Sequence, residues 1–163
     1  MRIACIGEAM LELSVQGNSA AIAVAGDTLN TAIYLKRNAP DCQVDYISRL
    51  GNCSFSHRIR DFIAAQNVGV ETIEMRPDKT PGLYAITTND TGERSFTYWR
   101  SASAARTLFD TGDFSILEGY EALYLSGISL AILPHQVRLA FLSWLGSSTR
   151  SDSNRRPGIC LTT

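Results

Sequence analysis

Disulfide and zinc frameworks have no footing in this sequence. Its four cysteines, Cys5, Cys42, Cys53 and Cys160, stand far apart with no Cys-x-x-Cys pair. Such spacing suits reduced, mostly buried thiols in a cytoplasmic protein. A basic surplus is missing as well: 15 Lys and Arg face 16 Asp and Glu, and the formal net charge is −1. Nucleic acid is therefore not an expected partner. Nor is a membrane. The longest uncharged stretch, Ala122 to Val137, contains Ser126, Gly127, Pro134 and Gln136, and it falls short of the ~20 apolar residues of a spanning helix. The apolar run after Arg2 breaks at Gly7-Glu8, too early for a secretory signal.

The familiar catalytic signatures are also lacking. There is no G-x-x-x-x-G-K-[ST] loop and no G-x-S-x-G elbow, and Gly7-Glu8-Ala9 stands where a G-x-G-x-x-G would follow the first strand. His57 and His135 have no neighbouring ligand pattern, so they read as helix-surface residues and no metal site is expected. No internal repeat is present. What remains is an ordinary globular balance, 163 residues with 45% hydrophobic, enough for one domain with a substantial core.

Strand and helix patterns alternate along the chain. Arg2–Gly7 reads as a buried first strand, and Glu12–Val15 and Ala21–Ala25 as short strands around a turn at Gln16-Gly17-Asn18. Asp27 opens a helix as its N-cap, with Leu29, Ala32 and Ile33 on one face and an end near Asn38. Val44–Leu50 is a strand. Ser54 caps a second helix striped by Phe55, Ile59, Phe62 and Ile63. A strand at Val70–Met75, a loop at Pro77 to Pro81 and a buried strand at Ala122–Ser126 follow. Pro134 starts a last helix bearing Val137, Phe141, Trp144 and Leu145, which Gly146 ends. Such alternation predicts a doubly wound parallel sheet. The short early strands and the hairpin Gly82–Thr88/Arg94–Arg100 do not fit it, and they predict a small second sheet.

Two segments carry chemistry. Asp27 and Asn30 stand three apart, so in a first helical turn their side chains lie together and offer complementary groups to a polyol. Asp27 is equally well explained as a plain helix cap. In the hairpin, a five-residue loop from Asn89 to Glu93 sets Thr88 opposite Arg94 and Tyr84 opposite Tyr98. Tyr84, Tyr98 and Arg100 then share a face, whereas a four-residue loop breaks the alignment. An Arg between two phenols suits a small carboxylate, with charge-assisted bonds worth ~1.5–3 kcal/mol each. Ordinary cross-strand Tyr–Tyr packing accounts for the same pattern.

Five stretches, in order, resemble one family. They are Ile6-Gly7-Glu8-Ala9-Met10-Leu11-Glu12-Leu13, Gly26-Asp27-Thr28-Leu29-Asn30-Thr31, Pro81-Gly82-Leu83-Tyr84, Thr91 through Arg100, and Tyr124 through Leu133. Over residues 1 to 145 the chain resembles the 2-keto-3-deoxygluconate kinases among the ribokinase-like, pfkB-type carbohydrate kinases. The resemblance implies an α/β fold, the N-terminal half of a three-layer doubly wound architecture with a small β lid. It implies that Gly26, Asp27 and Asn30 bind sugar-acid hydroxyls, that Tyr84 and Tyr98 reach down from the lid, and that Arg100 takes the carboxylate. The resemblance also implies Glu12 as a polar lid residue. The implied activity is ATP-dependent phosphorylation of 2-keto-3-deoxygluconate to 2-keto-3-deoxy-6-phosphogluconate, with Mg²⁺ on the phosphates. A homo-oligomer joined through lid strands is also implied.

The chain departs from the family pattern in two places. Ala25-Gly26 stands where paired glycines are usual, a small change. More severely, the ATP-binding half with its Gly-Ala-Gly-Asp motif and base Asp is absent, so no catalytic residue, ATP contact or Mg²⁺ ligand is assigned here. Loss of a general base alone costs ~10²–10⁴ in rate, and the chain by itself is expected to be inactive. Residues 1–146 are read as a partial domain, with lid strands at about 12–25 and 82–100. Residues 147–163 are read as an atypical tail, disordered or the product of truncation or a shifted reading frame. In it Asp152-Ser153-Asn154-Arg155-Arg156-Pro157 echoes a family Asp-x-Asn-x-Arg-Pro segment, which makes Asn154 and Arg156 candidate site residues. Two further readings stand beside the kinase: a non-catalytic sugar-acid-binding or interaction module, and a fragment whose open sheet edge favours self-association.

Overall fold

The computed structural model describes residues 1–89, 91–148 and 158–162. Its centre is a parallel sheet built from β1 (Arg2–Ile6), β4 (Gln43–Gly51), β5 (Ile73–Arg76), β8 (Ala122–Ser126) and β9 (Gly158–Thr162), in the order β5-β4-β1-β8-β9. Strand alternation sends Ile3 and Cys5 of β1 to one face and Ala4 and Ile6 to the other. Both faces are buried, so the strands read as continuous apolar runs.

One face is covered by α1 (Asp27–Asn38) and α2 (Ser54–Ala65), which seat Leu29, Ile33, Ile59 and Ile63 against β1 and β4. A buried hydrogen bond of 3.0 Å between the Thr28 and Tyr46 hydroxyls ties α1 to β4. The other face is covered by α4 (His135–Ser148) and by the loop around Phe109 and Phe114. There Phe109 and Phe114 pack on Phe141 with ring centroids 5.2 and 5.4 Å away. Fully burying one such side chain contributes about 1.5–3 kcal/mol, so these two layers hold the frame on which the site rests.

The second sheet stands apart from that frame. It is formed by β2 (Met10–Gln16), β3 (Ser19–Ala25), β6 (Gly82–Thr88) and β7 (Arg94–Trp99), ordered β3-β2-β6-β7. β2 pairs antiparallel with β3 and parallel with β6, and β6–β7 is the expected hairpin. Its register is the one a five-residue loop requires, Thr88 opposite Arg94 and Tyr84 opposite Tyr98. Asn89 closes that loop by accepting at Oδ1 from the Thr91 and Glu93 N–H groups.

Several local expectations are corrected. Asp27 does not cap α1. Gly26 occupies the N-cap, and Asp27 accepts from the Thr28 N–H at 2.6 Å instead. The reason is steric, because a side chain at Gly26 would stand 2.5 Å from the Glu8 carbonyl oxygen. Cys53, not Ser54, is the N-cap of α2, and Phe55 is exposed while Ser56 is buried in its stead. β5 starts at Ile73 rather than Val70, since the Ile73 N–H turns back onto the Val70 carbonyl. Of the four thiols only Cys5 is buried.

A short helix, α3 (Gly127–Ala131), was not foreseen; a reciprocal capping box between Ser126 and Ser129 opens it. The tail is corrected at both ends. α4 passes Gly146 and runs to Ser148, and Gly158–Thr162 adds a parallel strand along β8, with Ala122 opposite Gly158 and Ser126 opposite Thr162. β8 otherwise ends the sheet with unpaired backbone groups, which any short strand-forming segment can satisfy. Asn154 and Arg156 lie outside the described residues.

Candidate functional site

The two sheets meet where β1 hands over to β2 through Gly7-Glu8-Ala9. A cavity of about 270 Å³ opens at this seam. Its floor is Glu8 and the start of α1, its roof is the β6–β7 hairpin, and α3 closes one side with Ile128, Ser129 and Ile132. Gly26, Asp27, Asn30, Tyr84, Tyr98 and Arg100 all line it. Six residues that sequence spacing could only group in two sets are thus brought to one space.

Each is held by a local cause. The Asn30 N–H bonds to the Gly26 carbonyl at 2.8 Å, the first turn of α1, and this sets Asp27 and Asn30 at the helix entrance. Both of these side chains are exposed, with the Asn30 amide in no hydrogen bond among the described residues. On the roof, Tyr84 and Tyr98 face each other across β6 and β7 with ring centroids 5.5 Å apart. Phe96 joins them at 6.3 Å from Tyr84, giving the hairpin an aromatic underside with hydroxyls at its edge.

Tyr84 donates its hydroxyl proton to the Glu12 carboxylate. Burial, followed by that hydrogen bond and the Glu12 charge, raises its phenol well above the ordinary tyrosine range. It therefore stays neutral and keeps its oxygen lone pairs for a ligand donor. Glu12 itself lines a separate groove with Ser14 and Arg94. The structure places it behind Tyr84, as that residue's partner rather than in the cavity.

Arg100 follows β7 and turns down to the floor, where Nη2 forms an ion pair with the Glu8 carboxylate. The Glu8 side chain is 3% exposed and that of Arg100 21%. Beyond this contact, neither Glu8 oxygen, nor Arg100 Nε or Nη2, has hydrogen-bond geometry to a partner among the described residues. Gly82 makes room for the pair: a Cβ there would fall 2.5 Å from Glu8 Oε1 and 3.3 Å from Arg100 Cβ.

Glu8 was missed as a site residue. Its signal in the sequence was a lone acid inside the apolar stretch Ile3–Ala9, all of which is buried. The α3 wall was missed with α3 itself. Among the described residues no His, Cys, Asp and Glu side chains gather as metal ligands. The cavity carries two carboxylates, Glu8 and Asp27, against one guanidinium. That balance does not fit a nucleotide triphosphate, so no described residue is assigned to ATP or Mg²⁺. It offers one guanidinium, two phenols and an Asp–Asn pair as hydrogen-bonding groups around one space.

The model of the pfkB family carbohydrate kinases matches residues 1–161. The chain is 39% identical over 168 residues to 2-dehydro-3-deoxygluconokinase of Escherichia coli K12, covering 96% of this chain and 54% of that protein. It is 41% identical over 167 residues to the enzyme of the same name from Dickeya dadantii, covering 95% and 54%. It thus spans about half the length of the curated relatives it matches. Among solved structures, the fold is similar to 2-dehydro-3-deoxygluconokinase of Thermotoga maritima (TM-score 0.80, 18% identity, 99% of this chain and 50% of that one). It is also similar to a sugar kinase from Pyrococcus horikoshii in complex with ATP (TM-score 0.76, 18% identity, 98% and 52%). The fold is accordingly shared with these sugar kinases, and the chain belongs to the pfkB family of carbohydrate kinases.

Proposed function

We propose that this chain supplies the substrate-binding and lid half of a kinase that transfers phosphate from ATP to the terminal hydroxyl of 2-keto-3-deoxygluconate, giving 2-keto-3-deoxy-6-phosphogluconate. The observation that carries this reading is the convergence of Tyr84, Tyr98 and Arg100 over Gly26, Asp27 and Asn30 in one cavity. The identity to two 2-dehydro-3-deoxygluconokinases, the same enzyme under its systematic name, points the same way.

In this reading Arg100 holds the carboxylate, the two phenols bond the neighbouring oxygens, and Asp27 and Asn30 take hydroxyls at the far end. ATP supplies the phosphoryl group and Mg²⁺ accompanies it, both bound outside the described residues. The proposed compartment is the cytoplasm. No helix among the described residues is long and apolar enough to cross a membrane.

Isothermal titration of the 163-residue chain with 2-keto-3-deoxygluconate tests the site. Arg100→Ala is expected to weaken binding by ~1.5–3 kcal/mol, the worth of a charge-assisted hydrogen bond. Binding equal to that of the unmodified chain would remove the carboxylate assignment.

A second reading, a sugar-acid-binding module without turnover, rests on the same cavity residues, Tyr84, Tyr98 and Arg100 over Asp27 and Asn30. A coupled ADP-release assay separates the two, since turnover above background excludes the inactive module.

A further inference from the structure

We infer that Glu8 is the positioning residue of this site: it anchors the Arg100 guanidinium by one edge so that the remaining donors meet a ligand carboxylate. The ligand's identity rests on the sugar-acid reading above; the anchor rests on the geometry of the pair alone.

The Glu8 side chain is 3% exposed, and Arg100 is the cation paired with it. A buried carboxylate stripped of its one counter-charge is strongly destabilised. Among the described residues the other charged side chain lining the cavity, Asp27, carries the same sign as Glu8 and cannot replace Arg100. A ligand carboxylate therefore cannot draw Arg100 away from Glu8, and the two must share it. Arginine permits sharing, because its planar fork presents five donors in fixed directions. Here Nη2 faces Glu8 and Nε is sealed in beside it, so the 21% of the side chain that is open leaves Nη1 as the guanidinium nitrogen not buried against the floor.

A salt bridge that served stability alone would saturate its hydrogen bonds. This one joins Nη2 to Oε2 as an ion pair and leaves the buried Glu8 Oε1 and Arg100 Nε without a hydrogen bond among the described residues. Gly82 also keeps the space beside the pair clear of any side chain, although β6 begins there.

The test has a ligand-free arm and a ligand arm. In the 163-residue chain, nitrogen-detected NMR of Arg100 Nε–H is expected to show slow guanidinium rotation and slow exchange with water. Glu8→Gln should accelerate both about tenfold, within the coupling range of residues in one ion-pair network. Equal rates in the two proteins overturn the anchor whatever binds.

In the ligand arm, titration compares 2-keto-3-deoxygluconate with its methyl ester. Glu8→Gln should weaken the acid about tenfold, leave the ester unchanged, and add nothing in an Arg100→Gln background. Equal loss for acid and ester, or effects that add, overturns the inference. Should Glu8→Gln not fold, Glu8→Asp carries the same comparison, with the charge kept and the reach shortened. An unmodified chain that binds neither compound defeats the sugar-acid reading, while the NMR arm still decides on Glu8.

Discussion

At the scale of single residues, several buried groups are neutral by environment, and this sets how the fold answers to alkali. Tyr120 donates to Asp45 Oδ2 at 2.8 Å, and burial, followed by that bond, pushes its phenol from 10.0 up to about 12. Burial likewise pushes the Cys5 thiol from 9.0 up to about 12 and raises Tyr46 further still. In each case the folded value lies above the unfolded one. The stabilisation is whole below the unfolded value and drains away as pH climbs toward the folded one. Stability is therefore expected to hold to about pH 9 and then fall up to about pH 12. Denaturant melts at stepped pH measure this, and Tyr120→Phe should flatten the fall above pH 10, where its phenol no longer contributes. A steady stability across that range would contradict it.

Spacing grouped Asp27 with Asn30 and Arg100 with two phenols, but a helix cap and cross-strand packing explained the same patterns, and the family resemblance is what made these residues site candidates. It could not show Glu8. Whether an acid after a strand is solvated or sealed depends on what covers it, here Gly82 and Arg100 from far along the chain.

Among elements, periodicity exposed most of the frame: the stripe of Leu29, Ala32 and Ile33, the hairpin, and the apolar strands β1 and β8. Hairpin register was legible because side-chain period and loop length agree on one alignment. The misses share a cause. α3 is too short for a stripe and exists through its capping box, and the N-cap at Gly26 is decided by the close approach of the Glu8 backbone. β9 was unreadable because a five-residue strand at a sheet edge is specified by its neighbour more than by its own pattern.

Register also yields a sharp expectation. Deleting Thr91 shortens the loop between β6 and β7 by one residue, so either the strands slip or the turn distorts. Slippage moves Tyr98 and Arg100 off the cavity face. Binding of the sugar acid should drop below detection while circular dichroism still reports the α/β core. Undiminished binding would show that the lid's alignment is not fixed by its loop.

For the molecule as a whole, the lid is the exposed partner of a well-buried core. β7 ends its sheet, and all six of its residues are exposed, Trp99 at 56%. An edge rich in aromatics with unpaired backbone groups invites a second copy. Sedimentation velocity is expected to show concentration-dependent self-association, reduced by Trp99→Lys, since a charge on an edge strand disfavours pairing. One monomeric species at every concentration would rule this out.

The cavity draws its walls from Glu8 near the start of the chain through to Ile132 in the segment after β8. During synthesis no ribosome-bound chain can hold the ligand until that last wall has emerged. From then on, any occupant rewards the finished arrangement over every partial one, by RT ln(1 + [L]/Kd). Substrate abundance in the cell would then govern how much of this polypeptide survives quality control, as well as how busy it is.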